Sequence, residues 1–206
     1  MHPAPAQLVD YPFAFMNGDN LILEIDNYEI VIQDESSYIP NSADNKFVFD
    51  KEILLDESDE YAPSSKHSIT VNCSSGESHS CILLASGGAS GVHKNSAIIH
   101  DNKILVAVSS YVCCLKLPTI ELEWRTKSDW ATCFGIYHSI KHKCYISHGE
   151  CEIARLSYSG EIVWQASGKD IFTGDFSLSE DWIEAPDFND ECYRIDIETG
   201  AIRNCD

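Results

Sequence analysis

Apolar and polar residues alternate through the C-terminal half of this chain, and the alternation recurs. Three segments between Ser96 and Asp206 carry the same pattern in register: Cys113 to Trp124, Ile153 to Trp164, and Cys192 to Arg203. Trp124 and Trp164 are 40 residues apart, and Trp164 and Arg203 are 39 apart. Period-two alternation on both sides of a turn predicts a hairpin with one buried face. Gly160 and Gly200 stand late in their turns, where a positive φ favours glycine. The first copy has Pro118-Thr119 there, which predicts a different turn. Two more strand candidates precede each hairpin: 97–99 and 103–108, then 136–137 and 144–147, then 176–178 and 182–184. Four short antiparallel strands per repeat make the blade of a propeller. The predicted units span 96–124, 136–164 and 176–204.

The N-terminal half is also β-rich but has no matching period. The prolines of residues 1–12 predict an extended arm. Residues 21–25 and 28–32 flank Asp26-Asn27 and predict a hairpin. Short strands are expected at 47–49, 53–55, 68–72 and 81–85, with a polar loop at 34–45 and an acidic one at 56–66. No stretch reads as a helix longer than two turns. The expected organisation is a β-rich region over 1–95, built as degenerate blades, as an irregular sandwich or as a sheet packed against an open array, followed by three propeller-like repeats over 96–206. The fold class is all-β.

The phrase Leu-x-x-x-(Thr/Ser)-Gly-x-(Ile/Val)-x-Trp in these repeats resembles the quinoprotein-type, tryptophan-docking propeller repeat, a relative of the WD-type blade. Its carriers are Leu156 to Trp164 and Ile195 to Arg203, with a weaker copy from Leu115 to Trp124. The resemblance covers roughly the C-terminal half. It implies that the tryptophans pack between blades, and that Arg203, standing where the third tryptophan belongs, marks a terminal, capping unit. It implies little about activity, because the fold hosts enzymes, scaffolds and binding platforms alike. The family's quinone-cofactor enzymes are longer, exported and built from more blades.

Charge narrows the function classes. The formal net charge is −19. Residues 1–95 hold 15 acidic and 4 basic residues, 96–179 hold 9 and 8, and 180–206 hold 9 and 2. That balance disfavours nucleic acid and anionic membranes, which want basic surfaces. No apolar run approaches the 18 or so residues of a membrane span. Met1-His2-Pro3-Ala4-Pro5 lacks the basic and apolar regions of a signal peptide, so a cytoplasmic location is expected. The nine cysteines are odd in number and irregular in spacing. They are expected to be mostly reduced and buried, with at most one disulfide and none between Cys113 and Cys114.

The candidate chemistry is sparse. Gly87-Gly88-Ala89-Ser90-Gly91 lacks the Lys-Ser/Thr ending of a phosphate loop and a following helix. His138, His142, Cys144, His148 and Cys151 form the densest set of soft ligands, but convergence of four on zinc is not expected from one blade. No nucleophile elbow or zinc-protease motif appears. The expectation is therefore no enzyme, no cofactor and no metal.

Two readings of function remain. A small, acidic, motif-free chain has the compositional profile of cytosolic immunity proteins, which neutralise a basic toxin or nuclease. The alternative is a scaffold propeller that binds several proteins. Both need a contact surface. Its candidate residues are Asp56, Glu57, Asp59 and Glu60 with Tyr61, and Glu180, Asp181, Glu184, Asp187, Asp190 and Glu191 with Trp182 and Phe188. Closure of the repeats into a ring would bring the two groups together. Charge would then steer a basic partner, and the aromatics would anchor it.

Overall fold

The structure, a computed structural model, describes residues 13–25, 27–56, 62–173 and 175–205. It contains strands and no helix among these residues. The first sheet has six strands: β1 (Phe13–Asn17), β2 (Asn20–Ile25), β3 (Tyr28–Asp34), β4 (Lys51–Leu54), β5 (Ser65–Cys73) and β6 (Ser78–Ala85). Their order is β1-β2-β3-β5-β6-β4, with β4 parallel to β6 and every other pair antiparallel. The N-terminal half is thus one wide sheet packed on the first blade, one of the arrangements the sequence left open. The expected strand at 47–49 does not form. Phe49 instead packs with Tyr38 on Ile82 and Leu84, covering the sheet face turned away from the repeats.

The three repeats are four-stranded antiparallel meanders. Blade one is β7 (Ala97–His100), β8 (Lys103–Val108), β9 (Tyr111–Lys116) and β10 (Glu121–Lys127). Blade two is β11 (Cys133–Ser139), β12 (Cys144–Gly149), β13 (Ile153–Leu156) and β14 (Ile162–Ala166). Blade three is β15 (Ser177–Leu178), β16 (Trp182–Pro186), β17 (Cys192–Asp196) and β18 (Ile202–Asn204). The turn of the first copy does differ: the Leu117–Pro118 peptide is cis and Ile120 has a positive φ.

The sheets stack in chain order, and each apolar core is shared by two neighbours. Leu23, Ile30, Val71 and Leu83 of the six-stranded sheet pack against Ile104, Val106, Cys113 and Leu115 of blade one. Leu105 and Cys114 on the other face of blade one meet Tyr145, Ala154 and Leu156 of blade two. Cys144, Ile146 and Ile153 meet Ile183, Tyr193 and Ile195 of blade three. No apolar cluster among the described residues joins blade three back to the six-stranded sheet.

The tryptophans lock the blades at their outer strands. A Cβ on Gly160 would lie 2.5 Å from the ring of Trp124, and one on Gly200 would lie 2.8 Å from the ring of Trp164. Both glycines have positive φ, so the turn that needs glycine for its backbone also offers the bare surface on which the preceding indole rests. Trp164 adds a hydrogen bond from Nε1 to the Ile197 carbonyl, 3.0 Å. The indole N–H of Trp124 is buried without a partner.

One cross-strand row shows why the third unit differs. Blade one turns Ile98, Leu105, Cys114 and Trp124 toward blade two. Blade two turns Tyr137, Ile146, Arg155 and Trp164 toward blade three. The same row in blade three is Ser177, Glu184, Arg194 and Arg203. Arg194 pairs with Glu184 through Nε at 2.7 Å, and the Arg203 guanidinium lies 4.9 Å from the ring centre of Trp182. This row of blade three is polar, where its counterparts are apolar at every position but Arg155. Cys192 and Cys205 form a disulfide that clips the end of β18 to β17, and the other seven cysteines are free. Cys113 and Cys114, on opposite faces of β9, are unlinked and buried.

Candidate protein-binding face

In an up-and-down meander, the turn between the second and third strands emerges at the same end as the link to the next blade. Backbone hydrogen bonds join these turns into one seam. The Ser109 amide donates to Ser90 Oγ at 2.8 Å, and the Ser109 hydroxyl donates to the Ser86 carbonyl at 3.0 Å. Cys133 N donates to the Ser109 carbonyl at 2.5 Å. Glu150 N then donates to Thr132 O at 2.7 Å, Phe172 N to Glu150 O at 2.7 Å, and Phe188 N to Ile171 O at 2.8 Å. The seam runs from the six-stranded sheet to the far blade and satisfies loop groups that would otherwise need water.

Asp129 fastens its middle. This buried carboxylate accepts from the amides of Ala131 (2.6 Å), Cys151 (2.9 Å) and Glu152 (2.7 Å). A Cβ on Gly149 would fall 2.2 Å from it, so glycine lets the two loops close. Burial raises the Asp129 carboxyl above its usual range, and the amide donors pull the other way. Trp130, the next residue, is 77% exposed. The seam holds its backbone and leaves its indole in solvent.

Asp187 fastens the far end. It is 1% exposed and accepts from the amides of Asn189 (2.9 Å) and Glu191 (3.1 Å) and from the Tyr193 hydroxyl (2.9 Å). Burial works against its charge, but these donors outweigh burial and hold the carboxyl below its usual range. Phe188, beside it, is 66% exposed. Glu150, Glu152, Asp170, Asp190 and Glu191 belong to turns and links of this same end, with Lys127 at the end of β10 and Lys169 in the link after β14. Lys169 is tied to Glu191 at 2.7 Å.

The predicted contact residues divide between two ends of the array. Asp187, Phe188, Asp190 and Glu191 lie on the seam. So does Asp56, which accepts from the Ser86 amide and hydrogen-bonds to Tyr111; burial and then Asp56 push the Tyr111 hydroxyl up to about 12. Glu57, Asp59, Glu60 and Tyr61 lie outside the described residues. Glu180 and Asp181 sit at the opposite end, because the strand β16 separates them from Asp187. Asp181 is bound there by Lys141 (2.7 Å) and His142 (3.3 Å), and the Lys141 bond leads the effects that hold its carboxyl below the usual range. Trp182 and Glu184 face outward from blade three, each engaged by an arginine. Asp187 is a buried turn anchor, so it shapes the surface from below. Trp130 and Asp129 were missed, since they lie in a link between repeats where no periodicity reaches. The signal available was an aromatic directly after an aspartate in a polar linker.

The other motifs resolve into packing. Gly88 lets the connector from β6 press on the first blade link, where a Cβ would lie 2.0 Å from Thr132 Oγ1 and 2.5 Å from the Ala131 carbonyl. Ser64 and Ser65 hydroxyls donate to carbonyls of that glycine loop, so it is a packed connector. The soft-ligand set is dispersed. His138 hydrogen-bonds with the Tyr158 hydroxyl at the junction of blades one and two, Cys144 lies in the core between blades two and three, and His148 stacks on Phe176. Among the described residues no group of three or more metal-ligating side chains converges. Burial raises the Cys133 thiol to about 11 despite its bonds to Ser147 and Ser128, which suits a protonated, unreactive thiol.

No protein-family model matches this chain, and no curated protein does. Solved propellers do. The WD40 β-propeller domain of Doa1 superposes with a TM-score of 0.50 at 8% identity, over 95% of this chain and 65% of that one. Dihydro-heme d1 dehydrogenase NirN gives a TM-score of 0.51 at 12% identity, over 68% of this chain and 33% of that one. BamB from Moraxella catarrhalis gives 0.49 at 14% identity, over 92% and 59%. The chain thus spans between a third and two thirds of the length of these three structures. The likeness is one of fold: an all-β, propeller-like array. No helix among the described residues is long and apolar enough to cross a membrane.

Proposed function

We propose that this chain is a non-enzymatic protein-binding module, and that its seam of turns is the contact face for a basic protein. One observation carries the reading: two exposed aromatics, Trp130 and Phe188, are held on hydrogen-bonded turns at the end of the array that also carries the acidic turns. Rigid aromatics lose little freedom on binding and bury much area, while the surrounding charge accelerates encounter with a cationic surface. The −19 charge of the whole chain favours an inhibitor of the immunity type, acting in the cytoplasm on a single basic toxin or nuclease. The propeller-like fold favours the alternative, a scaffold with several partners.

Affinity capture with the wild-type chain, followed by titration of the captured protein at several salt concentrations, tests the proposal. One tight, basic partner supports the inhibitor, and several partners support the scaffold. Trp130→Ala and Phe188→Ala are each expected to weaken binding by at least about tenfold. Reversing Asp170 and Asp190 to lysine is expected to slow association and flatten its salt dependence. Reversing Glu180, at the other end of blade three, is expected to change neither. Full binding by the Trp130→Ala, Phe188→Ala double variant would show that the partner docks elsewhere.

A further inference from the structure

Among the described residues, the six-stranded sheet ends at β1 in an edge without a further strand. Among these residues strand β1 pairs with β2 alone, through five consecutive partners with no bulge. The uncharged edges β7 and β11 lie against neighbouring blades, and other edges carry protection of their own. β4, β10 and β18 bear Lys51, Arg125 and Arg203, and the β13–β14 ladder is broken by a register shift. β1, reading Phe-Ala-Phe-Met-Asn, has no charge and no proline, and Phe13 is 65% exposed. Natural edge strands that lack such devices pair with another strand.

The register identifies which strand fits. The two-residue turn Gly18-Asp19 makes Asn17 and Asn20 a hydrogen-bonded pair. Alternation then leaves Ala14 and Met16 with N–H and C=O groups pointing away from β2. A second copy of β1, running antiparallel about a two-fold axis at Phe15, sets Ala14 opposite Met16 and Met16 opposite Ala14. Every outward group on both strands finds a partner. Phe15 faces Phe15 across the axis, where side chains approach closely. Charge favours the same occupant: a basic partner has no carboxylate to meet on β1, and β1 places no charge of its own between two acidic copies.

We propose that this protein forms a two-fold dimer by antiparallel pairing of β1 with its copy, merging two six-stranded sheets into one. The surface is separate from the seam of turns. Its response to salt is opposite: screening relieves repulsion between two chains of −19, so the dimer strengthens with salt while binding of a basic partner weakens.

Sedimentation equilibrium over rising protein concentration, at low and high salt, tests this on the full chain. The expected result is a monomer–dimer equilibrium that tightens with salt. Met16→Pro removes two of the four intermolecular bonds, using an amide that the sheet itself does not need, and is expected to weaken the dimer at least about tenfold. Phe15→Lys places like charges on the axis and is expected to do the same, while Trp130→Ala leaves the dimer intact. A monomer at every concentration, an open-ended series of larger species, or a dimer unaffected by both β1 variants would overturn the proposal. Loss of the dimer in Trp130→Ala would overturn it too, by moving self-association to the turns.

Discussion

The indole of Trp124 occupies the volume that a side chain at position 160 would require, with ring carbons 2.5 Å from where its Cβ would be. Gly160 also has a φ of 84°. Gly160→Ala must therefore accept a left-handed backbone and displace a ring, and is expected to cost about 2–4 kcal/mol. Gly200→Ala repeats the experiment against Trp164. Gly91→Ala, with nothing within 4 Å and no positive φ, is expected to cost far less. Urea midpoints of the three variants check this ordering.

Asp129→Ala leaves the amides of Ala131, Cys151 and Glu152 without their acceptor. A loss of about 2–4 kcal/mol is expected, since the stranded donors are partly buried. Hydrogen exchange should rise first at residues 131 and 150–152, before the strands of either blade. Asp129→Asn retains one acceptor oxygen and is expected to fall between the two.

Acid should weaken the fold through histidines that burial holds neutral. Burial pushes His148 from 6.5 down to about 4, and burial followed by His100 pushes His138 to about 4 as well. A histidine held neutral in this way contributes fully above its unfolded value and loses that contribution as pH falls toward the folded one. The sensitive window is therefore about pH 6.5 down to 4, with His148 contributing roughly 3 kcal/mol at most. The buried Nε2 of His148 has no hydrogen-bond partner, and its ring stacks on Phe176. His148→Phe is expected to keep the stack and flatten this part of the stability–pH curve. An unchanged slope between pH 6.5 and 4 would refute the assignment.

Reducing the Cys192–Cys205 bond should free β18, whose three residues are all exposed. The cross-link spans 13 positions, for which chain entropy gives about 3 kcal/mol. With β18 released, Arg203 leaves the ring of Trp182, so tryptophan emission should change while far-UV circular dichroism changes little. Seven thiols should titrate in the denatured, unreduced protein.

The repeats were legible because each hairpin must bury the same face and seat the same indole, which writes a period of about 40 into the sequence. The six-stranded sheet was not, since a parallel β4 and unequal loops leave no period to find. Residues 47–49 are the aromatic and β-branched types that strands favour, yet Phe49 is used to cover Ile82 and Leu84. At the candidate site, sequence proximity misled. Asp181 and Asp187 are six positions apart in the chain, but an intervening strand carries them to opposite ends of the blade. Composition marked the acidity without distinguishing Asp187, which is buried under its turn, from Asp190, which is in solvent.

The pairwise sharing of the apolar cores gives the molecule a direction. Each interface couples only its two neighbours, as in linear repeat arrays, so disturbance should travel unit by unit and fade with distance. A lesion at the Trp164–Gly200 contact should loosen blade three while leaving the β5–β6 ladder protected, and one at Trp124–Gly160 should reach further. Under a pulling force the array would yield as a series of separate ruptures rather than in a single break. The turns that carry Phe188 would be the first to lose their shape, and those around Asp56 the last.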